Sequence, residues 1–446
     1  MRAQSPWALT PMLLFMALFI GSGLYYQAQG VEYAFYKISA PVAILPAIIL
    51  SLFLAKGTIN KRVENFISGC ANHTIVTMLL IFLLAGGFAS VAKSIGGVDA
   101  VVDLGLSLIP APLVLPGLFV MTAFMATAMG TSMGSIAAVA PIAVGLAEAS
   151  ELPLVLTVGT VMGGAMFGDN LSIISDTTIA ATRTQGCNMR DKFRLNFKIA
   201  IPAALLTIIW LFIQGDAANV NTDIEHSPIK VLPYLLVLVL AVLGLNVIVV
   251  LLTGIVLAGF IGLWQLDAYT VSQWSADIYK GYSNMQEILI LSLLIGGLGA
   301  MMKSQGGLTW LAAQFDRLSR QSGSPKSHRR IGEGIIAVAV ALVNMCTANN
   351  TVAILISGSL AKDIAERYGV DPKRSASIMD MSSCIVQGII PYGAQMLLAA
   401  SLAGLSPLSL ITAVTYCWFL LLAMVVSIAL GWPKGFRDSF ASSSAS

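Results

Sequence analysis

Two carboxylates, Asp169 and Asp176, stand in the run Gly163-Gly164-Ala165-Met166-Phe167-Gly168-Asp169-Asn170-Leu171-Ser172-Ile173-Ile174-Ser175-Asp176-Thr177-Thr178, inside an otherwise apolar stretch from Leu152 to Ala181. An ionisable side chain within hydrocarbon is costly and marks an ion path by default. Desolvation favours the neutral form of a carboxylate, so proton release and cation binding compete for the same oxygens. That competition is the chemistry of proton-cation exchange. Asp169, followed by Asn170 and Ser172, reads as a cation ligand. Asp176 reads equally as a ligand or as an N-cap to a helix beginning at Thr177. The two are about two helical turns, roughly 10 Å, apart if helical throughout, so a break between them decides whether they share one cation.

Hydroxyls and glycines gather a second time between apolar runs, from Thr127 to Ser135, with Thr131 and Ser132 at the centre. A related stretch, Asn344 to Thr351, holds Asn349, Asn350 and Thr351. Hydroxyls, amide oxygens and carbonyls freed by a helix break suit a small hard cation such as Na+. Gly130 and Gly134 read as well as close-packing residues. A fourth stretch, Asp380 to Gln395, could break at Gly388, Pro391 and Gly393, and offers Gln387, Tyr392 and Gln395 as uncharged hydrogen-bonding groups. Asp380 is its one carboxylate, with a surface-anchoring and a proton-handling role equally open. Asn349, Asn350, Thr351, Gln387, Tyr392 and Asp380 thus form the candidate cavity of the second half, a site for a solute or a second contribution to the ion path. Lys93 and Lys303 read as span-end lysines that snorkel to the interface.

The elements that must position these residues are membrane helices. The chain has 446 residues, 57% hydrophobic and only 11% charged, with mean hydropathy +0.83, whereas soluble domains carry about 25% charged residues. Apolar blocks recur at Leu9 to Tyr26, Pro41 to Ala55, Ile75 to Ala92, Ile199 to Ile213, Val231 to Leu263 and Leu408 to Leu430, and each reads as a span or the greater part of one, since about 20 helical residues cross about 30 Å of hydrocarbon. The first block lacks a basic flank beyond Arg2 and a cleavage pattern, and reads as a transmembrane helix, not a signal peptide. Five scattered cysteines without a C-x-x-C pair, and three distant histidines, predict neither a disulfide framework nor a metal cluster beyond a bound Na+. No nucleotide-binding loop or nucleophile elbow occurs, which points away from an enzyme or an ATP-driven pump. The net charge of +3 implies no nucleic-acid partner.

The chain also repeats itself. Leu83-Leu84-Ala85-Gly86-Gly87-Phe88, Lys93 and Gly96-Gly97 recur as Leu293-Leu294-Ile295-Gly296-Gly297-Leu298, Lys303 and Gly306-Gly307, and Ala126 to Thr131 aligns with Cys346 to Thr351. Basic residues mark cytoplasmic loops, and equivalent loops carry opposite loads: Arg183, Arg190, Lys192, Arg194 and Lys198 have no counterpart in Gly404 to Pro407, whereas Lys303, Arg317, Arg320, Lys326, Arg329 and Arg330 face a first-half loop with Lys93 alone. The fold expected is an all-α polytopic membrane protein of two inverted-topology repeats with interrupted helices and re-entrant hairpins, the architecture of secondary transporters. The boundaries expected are 1–215 for the first repeat, 216–229 for a polar, acidic extracytoplasmic linker, 230–432 for the second repeat and 433–446 for a disordered cytoplasmic tail. Both termini are expected in the cytoplasm and the chain in the cell membrane.

Phe167-Gly168-Asp169-Asn170-Leu171-Ser172 followed by Ser175-Asp176-Thr177-Thr178, with Gly130-Thr131-Ser132 and Ala140-Pro141 ahead of it, resembles the NhaC-type sodium-proton antiporter family. One departure is Ile173, where that family commonly has proline. The resemblance implies an ion-transporter fold, coupling to Na+ and H+ with no further cofactor, and Asp169 and Asp176 as carried-over positions, with Asn170, Ser172, Thr131 and Ser132 as candidate partners. Some members of the broader group move amino acids or carboxylates, so Na+- or H+-coupled transport of a small organic solute is the alternative. The expected partners are the lipid bilayer, the small cation, such a solute, and a second copy of the chain as a homodimer.

Overall fold

The computed structural model describes residues 5–29, 37–108, 110–150, 152–173, 175–215, 228–243, 245–307, 310, 314 and 328–433. The expected linker, save residues 228 and 229, and all of the expected tail but residue 433 lie outside these, as do Arg317, Arg320 and Lys326.

The first half runs α1 (Thr10–Ala28), α2 (Ala40–Ala43), α3 (Leu45–Leu54), α4 (Ile59–Cys70), α5 (His73–Ser94), α6 (Gly97–Leu108), α7 (Val114–Met129), α8 (Ser132–Ser150), α9 (Leu154–Leu171), α10 (Asp176–Gln185) and α11 (Met189–Gln214). The second runs α12 (Leu232–Val242), α13 (Val247–Gln265), α14 (Val271–Asn284), α15 (Gln286–Ser304), α16 (His328–Thr347), α17 (Asn350–Tyr368), α18 (Pro372–Ile389), α19 (Ala394–Ala403), α20 (Pro407–Leu410) and α21 (Thr415–Leu430). No strand occurs among the described residues. Nine helical stretches among them are long and apolar enough to span a membrane. Leu13, Phe53, Ile209, Phe260 and Leu422 stand exposed on the outer helices while serines, asparagines and carboxylates are buried inside, the inverse of a soluble protein and the arrangement lipid requires. The chain is a multi-pass membrane protein.

The order of elements recurs, and the packing recurs with it. Helix α4 packs on α15 and α14 on α5; α10 packs on α17 and α19 on α8; α11 and α21 pack on each other. At the first two crossings the backbones touch. A Cβ on Gly281 would overlap the Gly86 carbonyl, and one on Gly69 would overlap Ala300 and the Gly296 carbonyl. Helices α4 and α14 fall outside the apolar blocks of the sequence, because hydropathy finds only uniformly apolar helices. Both are amphipathic helices, exposed on most of their residues. The apolar block Val231 to Leu263 is likewise two helices, α12 and α13, and not one long span.

The inner layer is set by burial. The windows Ser132–Ser150, Leu154–Gln185 and Pro372–Ala403 are 78%, 78% and 83% buried, whereas none of the other six candidate spans exceeds 50%. The hairpin arm α8 and the two interrupted helices α9–α10 and α18–α19 are therefore the core around which the rest stands.

The breaks fix the register of the repeat. Gly130 and Ala348 are the left-handed residues at the two hairpin tips, with φ of 70° and 50°. The starts of α9 and α18 at 154 and 372, their ends at 171 and 389, the starts of α10 and α19 at 176 and 394, and the left-handed caps Gly186 and Gly404 all stand 218 positions apart. The sequence alignment of Ala126 to Thr131 with Cys346 to Thr351 is two residues out here. It follows a shared Thr-Ala pair, whereas the backbone turns where the chain must leave the helix.

Candidate functional site

Helix α9 stops at Leu171 because Ser172 is extended, with ψ of 134°, and the chain resumes as α10 four residues later. The carbonyls of the last turn of α9 then lack intrahelical donors, and the negative end of the helix dipole points into the gap. Asp169 sits in that last turn, 4% exposed. Its Oδ2 accepts from Ser132 Oγ at 3.0 Å and its Oδ1 from Ser175 Oγ, which lies 2.9 Å from Thr177 Oγ1. Ser132 opens α8 at the first hairpin tip and Ser175 lies in the break, so tip and break close on one carboxylate. Ser172 secures the approach by donating to the Thr127 carbonyl at 2.9 Å.

The second half meets this site through amides. Gln395 Nε2 donates to Ser132 Oγ at 3.1 Å, and Gln395 Oε1 accepts from Gln387 Nε2 at 2.8 Å. Gln387 Nε2 also donates to the Ala348 carbonyl at the second hairpin tip, at 3.1 Å. A polar chain thus runs from one tip to the other across the second break, and Asp169 joins it at Ser132. Tyr392, in the second break, donates to the Met345 carbonyl at 2.7 Å. In the 218-residue register that carbonyl is the mate of the Thr127 carbonyl held by Ser172.

Lys192 and Asp380 form an ion pair at 2.7 Å with side chains 1% and 0% exposed. This removes one of the two readings of Asp380 and corrects the placing of Lys192. Asp380 is no surface anchor, and Lys192 does not belong to the surface charge of its loop, whose other basic residues, Arg183, Arg190, Arg194 and Lys198, do stay exposed. Lys192, Asn196, Ile199 and Ala203 fall on one buried stripe of α11, a helical periodicity that could have marked Lys192 as inward-facing. Asn170 belongs to the same cluster: its carbonyl accepts from Lys192 Nζ at 2.8 Å and its Oδ1 from Asn196 Nδ2 at 2.7 Å.

The other expected residues lie at the edges. Asp176 is the first residue of α10 and exposed, with no hydrogen bond or ion pair among the described residues. Asn349 caps α17, its Oδ1 accepting from the Val352 N–H at 3.0 Å. Asn350 is buried beside it, its Oδ1 accepting from the Thr351 N–H at 3.0 Å. Thr131 and Thr351 are half-buried. Ser175, Lys192 and Asn196 are the site residues that the sequence reading left out, while Gln395, read there as a hydrogen-bonding group, reaches Ser132.

Among the described residues the buried Glu333 and Asp380 each have a basic partner, whereas Asp169 has hydroxyls only; the buried Asp277, on α14 and not at a break, is held by Tyr269 and Gln273. A buried carboxylate without a basic partner among the described residues, at paired helix breaks in the core of a multi-pass bundle, is the kind of intramembrane polar site that membrane transporters carry. The chain belongs to the Na+/H+ antiporter family, which matches residues 4–215 and 218–433. It is 25% identical over 411 residues to the Na+/H+ antiporter NhaC of Bacillus subtilis, covering 84% of this chain and 87% of that one. It is 22% identical over 432 residues to the malate-2H+/Na+-lactate antiporter of the same organism, covering 87% and 89%. Over 419 residues it is 21% identical to the arginine/ornithine antiporter ArcD of Halobacterium salinarum, covering 84% and 83%.

Proposed function

We propose that this chain exchanges Na+ for H+ across the cell membrane, with Asp169 as the carboxylate that carries the two in turn and both termini on the cytoplasmic side. The observation that carries the reading is the position of Asp169, buried, ringed by the hydroxyls of Ser132 and Ser175 and lacking a basic partner among the described residues. When ionised, the carboxylate offers Na+ its oxygens together with those of the hydroxyls, Thr131, and the freed carbonyls at the negative end of α9. When protonated, it loses the charge that holds Na+. Occupancy by one ion therefore excludes the other, and each is released where the other is abundant.

A second reading is exchange coupled to a small organic solute. It draws support from the uncharged amides Gln387 and Gln395 on the opposite wall, from Gln387 Oε1, which has no hydrogen-bond partner among the described residues, and from the relatives named for malate, lactate, arginine and ornithine.

Proteoliposomes with an imposed pH gradient separate the two. Addition of Na+ alone should collapse the gradient, and Li+ or K+ then gives the selectivity. If cations alone do nothing while an amino acid or carboxylate is accumulated in a Na+- or H+-dependent way, the first reading is wrong and the amide wall becomes the solute site.

A further inference from the structure

We propose that Lys192 is a positioning residue of the exchange: with Asp380 it forms a clamp that holds the two sides of the α9–α10 break at the separation the cation site requires, without itself touching the ion. The inference rests on the reading of Asp169 as the cation-carrying carboxylate.

The ammonium of Lys192 has three protons to donate, and three oxygens surround it. One is the Asn170 carbonyl on the α9 side of the break, at 2.8 Å. Another is Thr178 Oγ1 on the α10 side, at 2.7 Å. The third is Asp380 Oδ2 on α18, in the opposite half, at 2.7 Å. One side chain therefore ties both ends of the interruption to the other repeat. Asn196, one turn along α11, doubles the link by donating to Asp380 Oδ2 at 2.8 Å and to the Asn170 carbonyl at 3.1 Å.

What the clamp fixes follows from chain order. Asn170 is bonded to Asp169, and Thr178 lies three residues beyond Ser175. Thr178 also donates to the Ser172 carbonyl inside the break, at 2.7 Å. The distance from the Asp169 carboxylate to the Ser175 hydroxyl, the two groups that close the site, is thus set by where Lys192 and Asp380 hold the backbone on either side. Stability alone does not account for the pair, because a buried ion pair is generally no more stabilising than well-packed apolar side chains of similar volume. A role in geometry does account for it.

The test is the double variant Lys192→Met with Asp380→Leu, which removes both charges and leaves neither unpaired. In proteoliposomes its KM for Na+ should rise by about tenfold or more, the usual effect of losing a group that orients an ion's ligands, while the rate at saturating Na+ stays close to that of the parent. Na+-dependent thermal stabilisation of the purified protein should shift to correspondingly higher Na+. Lys192→Arg, which keeps the charge but changes the donor geometry, should raise the KM by a smaller factor, and it carries the test if the double variant fails to insert. An unchanged Na+ KM in an inserted variant overturns the clamp, as does a loss of maximal rate at unchanged KM. Asp169→Asn is measured beside them. Retained Na+ binding there sinks the underlying reading, whereas loss of Na+ binding in Asp169→Asn together with a parental KM in the clamp variants sinks the clamp alone.

Discussion

Asp169 and Gln387 occupy one and the same place in the two halves, each two residues before the end of its helix, α9 or α18, and each facing its own hairpin tip. Asp169 accepts from Ser132 and Gln387 donates to the Ala348 carbonyl. The repeat has kept the backbone break twice and the charge once. Under the proposed exchange, duplicate geometry with a single carboxylate at this position leaves one proton-linked group, Asp169, in a doubled framework.

Asp169→Asn is the direct test of that assignment. The amide has nearly the volume of the acid and can still hydrogen-bond Ser132 and Ser175, so insertion and thermal stability should stay near those of the parent. Na+-driven proton flux in proteoliposomes should fall to that of empty vesicles. Flux within a factor of about ten of the parent, roughly 1.4 kcal/mol, would move the proton-carrying group elsewhere.

Asp176 should behave differently. It is exposed at the first turn of α10, next to the residue whose hydroxyl reaches Asp169. An exposed carboxylate there attracts cations towards the site and is screened by salt. Asp176→Asn should raise the KM for Na+ by about three- to tenfold at low ionic strength, with little change in maximal rate. The effect should shrink when choline chloride is added. A loss of maximal rate as deep as that of Asp169→Asn would make Asp176 a ligand instead.

Much of this was legible because it is written in composition and local order. Charge-poor apolar blocks give spans, Gly-Asp-Asn-Leu-Ser gives a break with a carboxylate, and the Leu-Leu-x-Gly-Gly repeat gives the duplication. The parts that were not legible depend on contacts between distant segments. Lys192 lies among exposed arginines in sequence; helical periodicity can turn it inward, but its partner, 188 residues away on α18, is not written in local order. Asn349 has a composition that suits a ligand, yet its amide oxygen is used by the backbone it caps. Helices α4 and α14 are half polar because they pack by one face, and hydropathy averages that face away.

The glycine crossings give a prediction about the framework alone. Gly281→Ala places a methyl into the Gly86 carbonyl at the α14–α5 crossing, and Gly69→Ala does the same at α4–α15. Overpacking of this kind costs about 1–3 kcal/mol. Both variants should lower the thermal unfolding midpoint in detergent by similar amounts, since the two crossings are repeats of each other. An Ala at Gly334, where an added Cβ meets nothing within 4 Å, serves as the control and should not.

The second buried ion pair among the described residues should separate stability from transport. Arg374, 3% exposed, donates to Glu333 Oε2 at 3.0 and 3.2 Å and to Ser427 Oγ at 2.8 Å, joining α16, α18 and α21 away from the Asp169 hydrogen bonds. Arg374→Met leaves Glu333 with Arg329 alone, itself half-buried and bonded at 2.8 Å, so the cost should approach but not reach the roughly 3–5 kcal/mol of an orphaned buried charge. The unfolding midpoint should drop clearly. Adding Glu333→Leu removes the stranded charge and should recover most of the loss, with the KM for Na+ unchanged in whatever fraction is folded. A shifted Na+ KM in the double variant would show that this pair too reaches the ion site, and that the two buried ion pairs act as one system.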